Sequence, residues 1–214
     1  MRPDICYAVS AFSQFMSSLK HILWIAVKHA LWYLKGTQDY GLQYTLGGGV
    51  LLHGFSDSNC AGSVQDRKST SGFCFSMGSA MVPWSSRKQG SVALSTVEAE
   101  YVSASDASRE AVWLRKLVSD LFGTSLEPVV IHCDNQSCIK ISENPVFHDR
   151  SKHMEMRYHY LRDMVQRRAI SLRYIPTDEQ TADVLTKPLS KTKFEYFRDK
   201  LGVVENAPLA EREC

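Results

Sequence analysis

Residues 95–101 read Ser-Thr-Val-Glu-Ala-Glu-Tyr and begin the longest helical pattern in this chain of 214 residues. Ser95 and Glu98 fit a capping box, so the sequence predicts a helix from this point to about residue 122. At about 100° per residue, Glu100 lies on a stripe of mostly small apolar residues, whereas Glu98 lies on the opposite side. Capping explains Glu98, but a carboxylate on a stripe that packs against a sheet needs a partner or a cation. The stripe comprises Ala104, Ala107, Ala111, Leu114 and Val118.

The segments on either side of this helix alternate between strand and helix patterns. Upstream, three predicted strands suggest an antiparallel meander. Downstream, the patterns predict a strand, a short helix, an amphipathic helix, a second strand and two helical segments. From residue 50 the order is β-β-β-α-β-α-α-β-α, an α/β layered domain with a mixed sheet. The predicted ranges are 50–57, 72–77, 80–84, 95–122, 128–133, 135–142, 152–169, 170–175, 181–185 and 191–201.

A different pattern precedes residue 50. Residues 1–36 predict two helices, and a short strand follows at 41–44. The glycine run at 47–49 then indicates a boundary. Trp24 and Trp32 lie in this first part, and we expect them to be partly exposed.

Four acidic residues lie at the ends or beginnings of these elements: Asp57, Glu100, Asp134 and Asp183. Asp57 and Asp134 end strands predicted to be neighbours in the sheet, and Asp183 begins the last helix, where the helix dipole favours an anion. Taken singly, Asp57 and Asp134 equally fit turn or capping aspartates. Together, four carboxylates raise one another's pKa, so a fold that gathers them usually holds a cation. Oxygen ligands of this kind suit Mg²⁺ or Mn²⁺.

Composition argues against a membrane-spanning, secreted or disulfide-linked protein. A net charge of +2 does not by itself indicate nucleic acid, and 44% hydrophobic residues suffice for a core. The apolar run at 22–34 contains Lys28 and His29 and is too short to span a bilayer, and no signal peptide is recognisable. The six cysteines form no CxxC pair, which favours an intracellular protein with free thiols.

Basic and polar residues in three loops are candidates for nucleic-acid contacts. Cations there would neutralise phosphates, and neighbouring hydroxyl and amide groups would bind phosphate or sugar oxygens. A solvated helix face is an equal explanation for the arginines of segment 162–168. The candidates are Arg67, Lys68, Ser69, Thr70, Asn135, Gln136, Arg150, Lys152 and His153.

Linked motifs between residues 50 and 201 identify a resemblance to a known family. The sequence resembles the ribonuclease H domain of copia-type LTR retrotransposon Pol polyproteins. Residues 2–44 resemble the segment that joins reverse transcriptase to ribonuclease H. The motifs are Asp66-Arg-Lys-Ser-Thr-Ser-Gly72, Glu98-Ala-Glu-Tyr101, Cys133-Asp-Asn-Gln-Ser137, Asn144-Pro-Val-Phe-His148, Arg150-Ser-Lys-His153 and Ala182-Asp-Val-Leu-Thr-Lys-Pro-Leu189.

The resemblance implies a fold and a division of the chain. We expect a ribonuclease H-like mixed five-stranded sheet flanked by helices and preceded by a short helical segment. Residues 1–46 would be the end of the reverse-transcriptase or connection region, 50–201 the ribonuclease H domain and 202–214 a disordered tail. The chain would then start within a polyprotein. It has no Tyr-x-Asp-Asp polymerase motif, so we expect no DNA synthesis.

The resemblance also implies an activity. Asp57, Glu100, Asp134 and Asp183 match the family's metal-binding carboxylates, which would hold two Mg²⁺ or Mn²⁺ ions. Water would then cleave the RNA strand of an RNA–DNA hybrid. The implied partner is the rest of Pol, including reverse transcriptase, and we expect no membrane partner. The implied location is a cytoplasmic virus-like particle. Two alternatives stay open: a catalytically silent module that binds hybrid or RNA, and a truncated copy without function.

Overall fold

The computed structural model describes residues 1–18, 20–45, 52–123, 127–144 and 155–205, without the side chains of residues 155–158. Its helices are α1 (Cys6–Ser13), α2 (His21–Gly36), α3 (Thr96–Phe122), α4 (Gln136–Glu143), α5 (Glu155–Gln166) and α6 (Lys191–Lys200). Its strands are β1 (Tyr40–Leu42), β2 (Leu52–Asn59), β3 (Thr70–Met77), β4 (Met81–Lys88), β5 (Val129–Cys133), β6 (Ile170–Tyr174) and β7 (Val203–Glu205). Short 3-10 turns cover Pro3–Ile5, Thr177–Glu179 and Thr181–Leu185.

The central sheet has five strands in the order β4-β3-β2-β5-β6. β2, β3 and β4 form the expected antiparallel meander, while β2 pairs with β5, and β5 with β6, in parallel. The predicted mixed five-stranded sheet and element order are confirmed. Since β2 and β5 are parallel neighbours, their carboxyl ends meet at one edge of the sheet. β2 continues to Asn59, so Asp57 lies inside the strand rather than at its end.

The long helix α3 begins as the capping box predicts. The Ser95 hydroxyl accepts a hydrogen bond from the Glu98 backbone N–H at 3.1 Å, and the Glu98 carboxylate accepts one from the Leu94 N–H at 2.7 Å. Gly123 ends the helix with φ 64°, a left-handed conformation that glycine adopts without strain. The small residues of the stripe are buried against the sheet, and this contact places Glu100 beside β2.

Two apolar clusters cover the two faces of the sheet. One joins α3, α4 and α5 to the sheet and includes Phe75, Tyr101 and Ile131. The other joins the turn Thr181–Leu185, α6 and β7, and includes Phe197. Elements from both faces therefore reach the edge where β2 and β5 end.

The segment before β2 and the segment after α6 meet in a second, two-stranded sheet. β1 pairs antiparallel with β7, with Tyr40 opposite Glu205. The predicted disordered tail is therefore wrong for residues 202–205, because Val203 is fully buried and its strand pairs with the N-terminal segment. Residues 206–214 of that predicted tail lie outside the described ranges.

A buried carboxylate joins the first turn of the chain to α2. Asp4 is 3% exposed, forms an ion pair with Arg2 at 2.8 Å and accepts a hydrogen bond from the Tyr33 hydroxyl at 2.6 Å. On α2, Trp24 and Trp32 are 55% and 63% exposed, as expected. The division of the chain at residues 46 and 50 stays a prediction. None of the helices in the described ranges has the length and apolar composition that crossing a membrane requires.

Candidate metal centre and nucleic-acid interface

Asp57 lies in β2 and is 2% exposed. Its Oδ2 accepts a short hydrogen bond from the Thr186 hydroxyl, and Lys187 Nζ lies 3.7 Å from the same oxygen. The opposite residue in β3 is Gly72, where a Cβ atom would lie 2.6 Å from Thr186 Cγ2. A glycine at this position lets the segment after the Thr181–Leu185 turn approach Asp57.

Glu100 reaches the same strand from α3, on the other face of the sheet. Successive strand side chains alternate between faces, so Ser58 points towards α3 while Asp57 points away from it. The Ser58 N–H and hydroxyl donate to Glu100 Oε1 at 3.0 and 2.9 Å. Glu100 is 6% exposed, and its Oε2 is buried without a hydrogen-bond partner. The expected partner of Glu100 is therefore Ser58, and one oxygen remains available to a ligand.

Asp134 directly follows β5 and is partly exposed. The Thr177 hydroxyl donates to Asp134 Oδ2 at 2.9 Å. Glu100, Cys133 and Asp134 each offer a ligand atom, and these atoms lie within 4.8 Å of one another. The order of the strands predicted that β2 and β5 are neighbours, and their parallel pairing places Asp134 at the end of the strand next to the one that contacts Glu100.

Asp183 lies in the 3-10 turn Thr181–Leu185 and not at the beginning of the last helix, which corrects the sequence prediction. Pro188 disfavours helical backbone at the residue before it, so the turn cannot extend into α6. Gln180 fixes the turn: its Oε1 accepts from the Ala182 N–H at 3.3 Å, and its Nε2 donates to the Ser56 carbonyl at 3.0 Å. Asp183 is consequently held beside β2 by a contact to the strand.

Sequence reasoning missed the residues that hold these carboxylates, which are Ser58, Thr177, Gln180, Thr186 and Lys187. Lys187 Nζ lies 2.8 Å from Asp183 Oδ1 and so bridges Asp183 and Asp57. Lys187 follows Asp183 by four residues within the Ala182–Leu189 motif, a spacing that could have indicated an ion pair. Gln180 is fully buried, but the sequence carries no local signal of that burial.

Burial dominates the electrostatics of this cluster. It raises the pKa of Asp57 and Glu100, and the Asp57 charge raises the pKa of Glu100 further. Burial and the Asp57 charge also raise the pKa of Asp183 to about 7, against the opposing effect of Lys187. Burial lowers the pKa of Lys187, but the carboxylates of Asp57 and Asp183 outweigh it and raise the value.

The donor set fits divalent metal ions. Several carboxylates converge in a buried place, and one oxygen of Glu100 has no partner, so a hard cation would satisfy groups that the protein leaves unsatisfied. Asp134 belongs to the same electrostatic group, because its charge acts on Asp57 and Glu100. The catalytic and metal-binding roles of the four carboxylates stay a prediction.

The predicted nucleic-acid contacts divide into accessible and buried residues. Arg67 is exposed in a left-handed conformation with φ 55°, and Lys68 is partly exposed. Ser69 is fully buried, and its hydroxyl accepts a hydrogen bond from the Ala61 N–H at 3.1 Å. Thr70 is 9% exposed. Their burial leaves Arg67 and Lys68 as the accessible side chains among these four candidates, and nucleic-acid contacts of Ser69 and Thr70 stay a prediction.

The second candidate loop begins α4. Asn135 caps this helix, and its side chain accepts a hydrogen bond from the Cys138 N–H at 3.0 Å, whereas Gln136 is exposed beside Asp134. Arg162, on α5, donates to the Ile141 carbonyl, and Arg167, directly after α5, forms an ion pair with Asp163. These contacts favour an explanation of both side chains without nucleic acid. Arg150, Lys152 and His153 lie outside the described residues.

Known proteins resemble the chain over almost all its length. No family model matches it. It is 41% identical over 207 residues to the retrovirus-related Pol polyprotein from transposon RE2 of Arabidopsis thaliana, an alignment that covers 97% of this chain. It is 38% identical over 205 residues to the corresponding polyprotein from transposon TNT 1-94 of Nicotiana tabacum, covering 96% of this chain. The chain belongs to the retrovirus-related Pol polyproteins of transposons.

This member of the Pol family spans only part of its relatives. The alignments cover 14% of the RE2 polyprotein and 15% of the TNT 1-94 polyprotein. Among solved structures, the N-terminal RNase H domain of Rv2228c from Mycobacterium tuberculosis superimposes with a TM-score of 0.48 and 15% sequence identity. That superposition covers 71% of this chain and 99% of the solved chain.

Proposed function

We propose that this part of a copia-type Pol polyprotein is a ribonuclease H that cleaves the RNA strand of RNA–DNA hybrids with two Mg²⁺ or Mn²⁺ ions. The observation that carries the proposal is the buried carboxylate cluster at the edge where β2 and β5 end, with Glu100 Oε2 unpartnered. Buried polar atoms in folded proteins are normally hydrogen-bonded, so a buried carboxylate oxygen without a partner needs an explanation, and a bound metal ion supplies one.

The chain's own residues would orient the ligands. Ser58 fixes one oxygen of Glu100 and leaves the other free, and Thr177 orients Asp134 in the same way. Thr186 holds Asp57, while Lys187 offsets the negative charge of the cluster. Bound there, the divalent ions would supply Lewis acidity for activating a water molecule and stabilising the leaving 3′ oxygen.

The substrate would be bound mainly through phosphates. Arg67 and Lys68 in the loop before β3, and Gln136 beside Asp134, are the accessible candidates for backbone and 2′-hydroxyl contacts. The rest of Pol, including reverse transcriptase, is the proposed partner, since the relatives are much longer than this chain. The proposed location is a cytoplasmic virus-like particle.

Cleavage of a labelled hybrid tests the proposal. We expect the purified chain with Mg²⁺ to cut the RNA strand, to leave the DNA strand intact and to lose the activity in chelator. Asp134→Asn removes one charge from the cluster at similar size, and we expect at least about a hundredfold lower rate because charge stabilisation at the reacting phosphate is lost.

Asp106→Asn is the matched control. Asp106 pairs with Arg109 at 3.1 Å further along α3, so the substitution removes a carboxylate outside the cluster and should leave the rate within about twofold. A folded parent that binds hybrid without cutting it would refute the proposal and favour the binding-module alternative. Equal rates for parent and Asp134→Asn would refute the assigned site.

A further inference from the structure

A sulfur atom lies within the carboxylate cluster. Cys133 is the last residue of β5, is fully buried and directly precedes Asp134. Among the residues that the structure describes, Glu100, Cys133 and Asp134 form the group of three whose possible ligand atoms lie within 4.8 Å of one another. Mg²⁺ sites are built from oxygen ligands, whereas a cysteine sulfur selects softer ions such as Zn²⁺. Cys133 therefore offers a sulfur ligand that Mg²⁺ binding does not require.

The state of Glu100 is an independent indication of a ligand. Glu100 is 6% exposed, so its carboxylate is more than nine-tenths buried. Ser58 occupies Oε1 with two hydrogen bonds, but Oε2 has no partner. A buried polar atom without a partner costs free energy that a bound cation would recover.

The surroundings of the sulfur are compatible with a ligand role. The backbone N–H of Asn135 donates to Cys133 Sγ at 3.5 Å. Such donors orient a coordinating group from behind, as hydrogen bonds to other metal ligands do. Cys74, the buried cysteine of β3, lies instead in the apolar cluster with Met81 and Val184 and belongs to no such group of three possible ligands among the described residues.

We propose that Glu100, Cys133 and Asp134 bind a soft divalent cation, Zn²⁺ or Cd²⁺, at a site that shares two carboxylates with the proposed Mg²⁺ centre. Tetrahedral bonds of about 2.3 Å to sulfur and about 2.0 Å to oxygen place ligand atoms about 3.5 Å apart, so the three groups must close by no more than about 1.3 Å. A soft ion held there excludes the hard ions from Glu100 and Asp134. The resulting inhibition of hybrid cleavage rests on the proposed function, whereas the binding of the soft ion does not.

Cadmium titration tests the binding directly, because a cadmium–thiolate bond has its own ultraviolet charge-transfer absorption. The reference protein carries Cys60→Ser and Cys214→Ser, which remove a partly exposed thiol and the terminal thiol. We expect its absorption to saturate at one Cd²⁺ per chain. Cys133→Ala should abolish the absorption, and the matched control Cys74→Ala should retain it. Glu100→Gln keeps the sulfur and should weaken Cd²⁺ binding at least about tenfold.

The outcomes are distinguishable from those of the proposed function. No charge-transfer absorption in the folded reference protein, or unchanged absorption in Cys133→Ala, would overturn the soft-ion site even if Mg²⁺ supports cleavage. If Cys133→Ala fails to fold by circular dichroism, unchanged Cd²⁺ affinity in Glu100→Gln overturns it instead. Cadmium binding without Mg²⁺-dependent cleavage would refute only the proposed ribonuclease activity and would leave the soft-ion site standing. In an active reference protein we expect Cd²⁺ to inhibit, and excess Mg²⁺ to restore the rate.

Discussion

The close approach between β3 and the turn that carries Asp183 predicts a large effect of one methyl group. Gly72 is buried opposite Asp57, and a Cβ atom added there would lie 2.6 Å from Thr186 Cγ2 and 2.9 Å from Leu185 Cβ. Carbon atoms in contact prefer about 3.5–4.0 Å, so Gly72→Ala must displace the turn by about 1 Å. Rotation of Thr186 alone cannot relieve the contact, because Leu185 Cβ is fixed to the backbone.

Two measurable consequences follow from this displacement. Overpacking of a buried site costs about 1–3 kcal/mol, which urea unfolding would measure. A misplacement of about 1 Å in a catalytic arrangement costs about a hundredfold in rate, which the hybrid-cleavage assay would measure. We therefore expect Gly72→Ala to fold in the absence of urea, with a lower unfolding midpoint than the parent. Its rate of hybrid cleavage should be at least about thirtyfold lower.

Two other glycines provide matched controls. In Gly54→Ala the new Cβ would lie 2.4 Å from the Phe75 ring. Gly54 precedes Asp57 by three residues on β2, a distance of about 10 Å along the strand. This variant should lose stability with a much smaller loss of rate. Gly90→Ala meets nothing within 4 Å and should change neither quantity. If Gly72→Ala and Gly54→Ala are equally unstable and equally active, the turn does not position the catalytic group and the reasoning is refuted.

Three further perturbations test the charge and surface of the molecule. In chelator, the free energy of unfolding should fall between about pH 4 and 7, because the pKa of Asp183 is raised from about 4 in the unfolded chain to about 7 in the folded one, and only the folded protein binds this proton within that window. Asp183→Asn should reduce this slope, and an unchanged slope would contradict the assignment. Lys187→Met should destabilise the metal-free protein at pH 8 by about 1–3 kcal/mol in urea, whereas Lys191→Met, at a side chain that is 88% exposed, should cost under about 0.5 kcal/mol. Replacing Trp24 and Trp32 by lysine should reduce self-association in analytical ultracentrifugation, because both rings are exposed; undiminished association would exclude this face of α2.

Several features of the site could be predicted because their signals are local. The capping box and the stripe of small residues separated Glu100 from Glu98, and the structure has Glu98 at the cap and Glu100 buried beside β2. The alternation of strands and helices predicted that β2 and β5 are neighbours, which brings Asp134 to the same edge. These predictions needed only helical and strand periodicity and the rules of parallel sheets.

Other features could not be predicted because they depend on distant contacts. Asp183 was expected at the beginning of a helix, but Gln180 bonds to Ser56, 124 residues earlier in the chain, and shapes the turn instead. The burial of Ser69 and the hydrogen bond that its hydroxyl accepts from the Ala61 N–H could not be predicted from the polar loop in which it lies. The strand at Val203–Glu205 has its pairing partner near the other end of the chain, so its short sequence gave no signal of order.

The sequence by itself determined the order of elements, the beginning of α3 and the four acidic residues, because each depends on neighbours within a few turns or on the residues themselves. Only the tertiary structure decided which carboxylate oxygens are occupied and which are available. Thr186 reaches Asp57 across 129 residues and Ser58 reaches Glu100 across 42. A hydrogen bond depends on distances of a few tenths of an ångström, and these are set by the packing of whole elements rather than by local sequence.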